Sequence, residues 1–378
     1  SSSPGATART WSACSPEPKI ASPSTAGRGI RAKALPAARK IRKLDIRMDK
    51  AAIIGDGAWG TTLGLILEDR GLSVSVWSHD PEYAQTVERT RRNPKFIPEV
   101  PIPTGVRFTG NLAEACEGAA FWVLAVPTLH LPKVLDKIVA TGIRPAPVVS
   151  VAKGIDRETL KLPSAQIEDR LHPPAVGVLS GPSHAPEVAR RLPTGVVAAA
   201  KDPAFARQVQ DWFATGYFRI YTHADVIGVE CGGALKQPIA IAAGICDGLW
   251  LGDSTKSSLI ARGLAEAVRF GVSLGAKRET FSGLSGVGDL ITSCMSFHGR
   301  NRAVGEAIGR GERLEDVVAR MSQVAEGVTT VQSICRLADQ KGIEMPICRE
   351  VHRILFEGKE PKAAVRDLMM RDLKAEFD

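Results

Sequence analysis

Ala51-Ala52-Ile53-Ile54-Gly55-Asp56-Gly57-Ala58-Trp59-Gly60 is the stretch that decides the fold. Four apolar residues with no polar interruption read as a strand buried on both faces, the condition of a parallel sheet. The run enters a G-x-G-x-x-G loop, and Thr61 to Arg70 then keeps helical spacing until Gly71 resets the chain. Within that setting the glycines have separate tasks. Gly55 makes the tight turn, Gly57 lets main chain approach a pyrophosphate, and Gly60 lets helix pack close on strand, while the helix opening at Ala58 offers free N–H groups to an anion. The loop therefore predicts a dinucleotide cofactor.

Working outward, short β-branched runs recur at Val74 to Trp77, Phe121 to Val126, Val148 to Val151, Val176 to Leu179 and Val196 to Ala199, with helical segments between them. Alternation of this kind predicts a Rossmann-type parallel sheet. After about Val229 the strand-like runs stop, and helical spacing takes over in segments such as Leu259 to Leu274 and Arg313 to Val318. The expected organisation is α/β, with a dinucleotide-binding domain over 48–230 and an all-α substrate domain over 231–378. Residues 1–47 are rich in Ser, Pro, Ala and Arg and lack apolar periodicity, so they are set apart as a disordered basic extension. An organellar transit peptide and an extension upstream of a start at Met48 both fit that composition; Met48 directly before the first strand favours the second, and with it a cytoplasmic enzyme.

The formal charge of +8 raises nucleic acid as a partner, but ten Lys or Arg against two acids lie in residues 1–47, which leaves 39 basic and 39 acidic residues beyond them. A neutral body with 5% aromatic residues offers no basic stripe with stacking platforms, so nucleic acid is not an expected partner. No run reaches the roughly 18 uninterrupted apolar residues of a membrane span, so no membrane insertion is expected. The seven cysteines are scattered, odd in number and without a C-x-x-C pair, which predicts neither disulfides nor a metal site. Cys231 and Cys294 lie near the polar motifs below, yet no base accompanies them and they read as small core residues.

NAD-specific proteins close the second strand with an acid that takes the adenosine ribose hydroxyl. Here the strand ends Val76-Trp77-Ser78-His79-Asp80, with Ser78 or His79 at the expected place and Asp80 too late, so NAD and NADP both stay open. Further on, three segments are polar or glycine-rich where a plain structural element would not be. Lys153 follows the strand Val148 to Val151 and points to the crevice in which open α/β sheets bind ligands. Ser180-Gly181-Pro182-Ser183-His184-Ala185 ends another strand with N–H groups and a hydroxyl to offer. In the helical half stand Gly232-Gly233-Ala234-Leu235-Lys236, Gly252-Asp253-Ser254-Thr255-Lys256 and Arg262-Gly263-Leu264-Ala265-Glu266.

These segments, together with Gly283-Leu284-Ser285-Gly286-Val287-Gly288-Asp289-Leu290, Gly299-Arg300-Asn301-Arg302 and Val324-Ala325-Glu326-Gly327, resemble the bacterial-type NAD(P)-dependent glycerol-3-phosphate dehydrogenases from about Met48 to the last twenty residues. The resemblance implies hydride exchange between NAD(P)H and dihydroxyacetone phosphate, supplying glycerol 3-phosphate for phospholipid synthesis. It implies Lys236 as the proton acceptor from the substrate hydroxyl. Burial in an apolar helix beside the cation of Lys153 suits that task, because both disfavour the charged ammonium. Around the substrate it implies Lys153, Gly181, Ser183, Lys236, Asp289, Gly299, Arg300 and Asn301. Around the cofactor it implies Trp59, His79, Lys153, Ala185, Arg300, Val324 and Glu326, beside Gly55, Gly57, Ala58 and Gly60 of the loop. A homodimer is the default assembly. The chain departs from the family pattern at Gln237-Pro238 after the lysine, where proline should kink the helix, at Ser254, and at His184, commonly an aromatic. A dehydrogenase of another hydroxy compound and a nucleotide-binding sensor without chemistry share the architecture and stand as the alternatives.

Overall fold

The computed structural model describes residues 50–321 and 325–376. The extension read at 1–47, and Val324 among the expected cofactor residues, lie outside them. Among the described residues ten strands form: β1 Lys50–Ile54, β2 Ser73–Trp77, β3 Arg92–Asn93, β4 Ile97–Pro101, β5 Val106–Thr109, β6 Phe121–Leu124, β7 Val148–Ser150, β8 Val176–Ser180, β9 Thr194–Ala200 and β10 Phe218–His223. Eight of them make one sheet in the order β10-β9-β8-β7-β6-β1-β2-β5, and β3 pairs antiparallel with β4. β1 sits between β2 and β6, with Ile53 level with Val76 and Val123. The order thus reverses beside β1, and the crevice past its C-terminal end is where such sheets take ligands.

All six strands expected from the sequence form, but the sheet is not wholly parallel. β9 runs antiparallel to β8 and carries β10 with it. The link between β8 and β9 contains only the short helix Ala185–Ala189, too little to carry the chain back across the sheet as a parallel crossover requires. An apolar run such as Val196 to Ala199 reports burial and not direction. The strands β5 and β10, which alternate buried with exposed residues at an edge, were too short or too polar to stand out in the sequence.

The helical half is built around Val226–Gly248, whose residues are nearly all buried beneath Gly252–Ser273, Asp289–Met295, Arg300–Gly309 and Glu326–Lys341. Among the described residues it is the one helix long and apolar enough to cross a membrane, and here it is the core of a helical layer. The division anticipated between residues 230 and 231 falls in its second turn. Pro238, where a kink is expected, lies inside this helix, which runs on through it to Gly248. Proline removes the amide that would bond four residues back, and dense burial on all sides holds the helix together.

Candidate active site

The cofactor loop has the shape its glycines require. Gly55 stands at φ +119°, and a Cβ there would lie 2.5 Å from the Ala125 carbonyl oxygen. A Cβ on Gly60 would sit 2.0 Å from the Gly55 oxygen, whereas one on Gly57 would meet nothing within 4 Å. The open side of Gly57 is the cradle a pyrophosphate would fill, and Gly57 opens the helix Ala58–Asp69 with no side-chain cap on its first N–H groups. These residues fit a dinucleotide. Trp59 packs edge-on against Phe218 at 6.1 Å, so its ring also steadies the helix on the sheet.

At the end of β2 the structure separates the residues that sequence left equivalent. Ser78 is fully buried, and its hydroxyl donates to the Asp56 carboxylate at 2.7 Å. Asn93 donates to the Asp56 carbonyl and to the Thr61 hydroxyl, both at 2.8 Å, closing a network beneath the glycine loop. Asp80 accepts from the Tyr83 amide at 3.0 Å as the cap of helix Pro81–Thr90. His79 alone of the three is exposed without such a task. Asp56 and Asn93 carried no signal in the sequence, because a loop variable and a lone Asn look like solvated turn residues.

A second group of residues converges where the two halves meet. Lys153, three residues beyond β7, donates from Nζ to Asp289 Oδ2 at 2.7 Å and to the Gly181 carbonyl at 3.3 Å. Lys236 donates from the helix Val226–Gly248 to Asp289 Oδ1 at 2.5 Å. One carboxylate, 1% exposed, therefore holds two lysines whose side chains are 19% and 13% exposed. Gly233 makes room for this convergence: a Cβ there would press on Lys153 Cγ at 3.3 Å and the Ser180 hydroxyl at 3.2 Å. Asp289 itself opens the helix Asp289–Met295 after the glycine-rich loop 283–288.

Burial pushes the Lys236 ammonium down to about 8; the Asp289 charge opposes this and the Lys153 charge adds to it. Burial favours a protonated Asp289, but the two ammoniums outweigh it and hold the carboxyl below its usual range. The cluster is a buried site of net positive charge containing a base that titrates near working pH, and an anionic substrate with an ionisable hydroxyl suits both properties.

Other anticipated residues ring this cluster. Ser183 turns its hydroxyl to the Gly181 carbonyl at 3.1 Å, so it shapes the turn. The Ala185 carbonyl accepts from the Thr62 hydroxyl at 3.3 Å and ties that turn to the cofactor helix. Asn301 accepts from the Gly327 amide at 3.0 Å, and Glu326 accepts from the Thr128 amide at 3.2 Å, a bond between the two halves. Burial raises the Glu326 carboxyl against the pull of Arg300, which stands with Gly299 at the start of helix Arg300–Gly309.

The remaining motifs are structural. Lys256 and Arg302 both pair with Asp247, at 2.8 and 2.7 Å. Glu266 accepts from the Ile347 and Cys348 amides, and Arg262 reaches the Glu376 carbonyl. Cys231 and Cys294 are fully buried, and burial raises both thiols. Two residues noted only as departures prove to belong to the site. Gln237 donates to the Lys153 carbonyl at 3.0 Å. His184 brings a half-buried ring to 6.4 Å from that of His298, with its pKa lowered by burial.

Two family models match the chain: the NAD-dependent glycerol-3-phosphate dehydrogenase N-terminus over residues 50–206 and the corresponding C-terminus over 225–366. A glycerol-3-phosphate dehydrogenase [NAD(P)+] of Geobacter sulfurreducens is 47% identical over 333 residues, 87% of this chain and 99% of its own. One of Lysinibacillus sphaericus is 45% identical over 334 residues, 88% and 99%. The crystal structure of glycerol-3-phosphate dehydrogenase from Coxiella burnetii superimposes with a TM-score of 0.83 at 33% identity, covering 86% of this chain and 99% of that one.

Proposed function

The chain belongs to the NAD-dependent glycerol-3-phosphate dehydrogenase family, and on that premise we propose how its residues divide the work. It catalyses the reversible, NAD(P)-dependent interconversion of sn-glycerol 3-phosphate and dihydroxyacetone phosphate. A nicotinamide cofactor, when held by the glycine loop, would supply the hydride chemistry of the reaction. Lys236, neutral above about pH 8, takes the proton of the secondary hydroxyl in oxidation and returns it to the carbonyl oxygen in reduction. Asp289 holds Lys236 and Lys153 in register, and the Lys153 ammonium stabilises negative charge on the reacting oxygen. Arg300 and Asn301 with Gly299 receive the phosphate, and the Gly181–Ser183 turn bounds the substrate. Gly55, Gly57, Ala58, Trp59 and Gly60 hold the pyrophosphate side of the cofactor, with His79, Ala185, Val324 and Glu326 around the rest of it.

The observation that carries this reading is the pair of lysines on one buried carboxylate. On the same reading the nucleotide-binding half ends at the helix beginning with Val226 rather than at residue 230. The enzyme acts in the cytoplasm as a homodimer and supplies phospholipid synthesis. The test compares dihydroxyacetone phosphate with unphosphorylated dihydroxyacetone, each with NADH and with NADPH. Cofactor oxidation that requires the phosphate supports the assignment, and oxidation of neither cofactor despite nucleotide binding overturns it. Sedimentation of the purified protein reads the assembly.

A further inference from the structure

Proteins that bind NAD place an acid at the end of the second strand, where it accepts from the 2′-hydroxyl of the adenosine ribose. Here β2 closes without a free one: Ser78 and His79 follow Trp77, and Asp80 caps the helix Pro81–Thr90 through the Tyr83 amide. A carboxylate stands at the end of β2 all the same, and it comes from the glycine loop. Asp56 Oδ2 accepts from the Ser78 hydroxyl at 2.7 Å, and that hydroxyl accepts in turn from the Asp80 amide at 3.2 Å. The Asp56 main chain is held as well, its carbonyl accepting from Asn93 at 2.8 Å and from Thr61 at 3.1 Å. Asn93 is fixed by the Tyr83 hydroxyl, which donates to it at 2.6 Å. Bonds on both main chain and side chain thus keep this carboxylate at the strand end.

One side of it is unanswered. Asp56 is 6% exposed, its Oδ1 accepts from no donor among the described residues, and no cation pairs with it there. Lys137 lies over the Trp77 ring at 5.7 Å and Lys95 over the Tyr83 ring at 6.0 Å, both exposed and neither bonded to Asp56. A carboxylate so placed attracts hydroxyl donors and repels further negative charge. Ser78 has a single proton, already given to Asp56, so it has none for a phosphate. The ribose of NAD carries hydroxyls that suit this corner, whereas NADP replaces the 2′-hydroxyl with a phosphate that does not.

We propose that Asp56, from within the glycine loop, is the residue that selects NAD(H) over NADP(H), with Ser78 positioning its carboxylate. The inference rests on the nucleotide lying at the glycine loop, as proposed above.

The test is nucleotide affinity, measured by fluorescence titration of the full chain with NADH and with NADPH. NADH should bind about tenfold or more tighter than NADPH. Asp56→Asn keeps the size of the side chain and an acceptor for Ser78 but removes the charge; NADH should weaken, NADPH should gain, and the preference should shrink by about tenfold. Ser78→Ala releases the carboxylate to turn away and should move the ratio the same way by a smaller factor, which decides the matter if Asp56→Asn melts early. Equal affinities in the wild type, tighter NADPH, or a ratio that neither variant moves overturns the role of Asp56 while leaving the cofactor at the loop. Binding of neither nucleotide overturns the cofactor site itself, and the role of Asp56 with it.

Discussion

Among single residues, Asp289 holds both lysines of the cluster. Its charge opposes burial at Lys236, so the lysine titrates near 8 as a balance between the two. Asp289→Asn removes the opposing charge and should move the Lys236 titration below 8, displacing the pH dependence of turnover to more acid values. The same substitution leaves two partly buried ammoniums unpaired, and loss of one partner from a buried ion pair costs about 3–5 kcal/mol. Denaturant unfolding of the variant measures that loss, and an unchanged midpoint would remove Asp289 from its proposed role. Lys236→Ala should lower turnover about 100-fold or more and leave nucleotide affinity near wild type in a fluorescence titration, because Lys236 lies in the helical half. Lys153 was legible in the sequence as a charged residue at a strand end, Lys236 as a charged residue in a glycine-bearing helical segment, and Asp289 through the family resemblance. That Asp289 would clasp both lysines was not legible, because 53 and 136 residues separate it from them. Gln237 departs from the family pattern in sequence, and its bond to the Lys153 carbonyl leaves no periodic trace there.

At the scale of elements, the strand, glycine loop and helix from Lys50 to Asp69 are almost wholly local, so their sequence dictates them. Two substitutions separate structure from binding within the loop. Gly60→Ala places a methyl 2.0 Å from the Gly55 oxygen and should prevent normal folding, whereas Gly57→Ala meets no protein atom. The second variant should therefore keep the wild-type melting temperature while nucleotide affinity falls about tenfold or more, since the added methyl intrudes on the pyrophosphate. Unaltered nucleotide affinity in a folded Gly57→Ala protein would place the cofactor elsewhere. The antiparallel β9 was hidden for the converse reason. Strand direction depends on how much chain the β8–β9 link holds and what covers the sheet, and the residues of β9 record neither. Pro238 costs its helix one backbone bond, and the helix runs on through it under the elements that bury it.

For the whole molecule, the helix N-terminus proposed to receive the nucleotide and the helix that carries Lys236 belong to different halves, and Lys153, Asp289, Thr128 and Glu326 join them. The relatives are matched over 99% of their own length by 87–88% of this chain. A protein beginning at Met48 should accordingly fold and turn over at the wild-type rate, and a loss of activity on shortening would give residues 1–47 a part in the enzyme. Glu230 and Glu266, each raised to about 7 by burial, add a pH signature to the stability of the fold. Their folded values exceed the ordinary 4.5, so their contribution is complete below that pH and is lost as pH rises through about 7. Glu230→Gln with Glu266→Gln should flatten the unfolding midpoint against pH across this window. Proton transfer by Lys236 is read from the pH dependence of kcat/KM in both directions on the intact enzyme. The oxidation limb should rise and the reduction limb should fall through an apparent pKa near 8. Limbs that run in the same direction, or no inflection near 8, would contradict it.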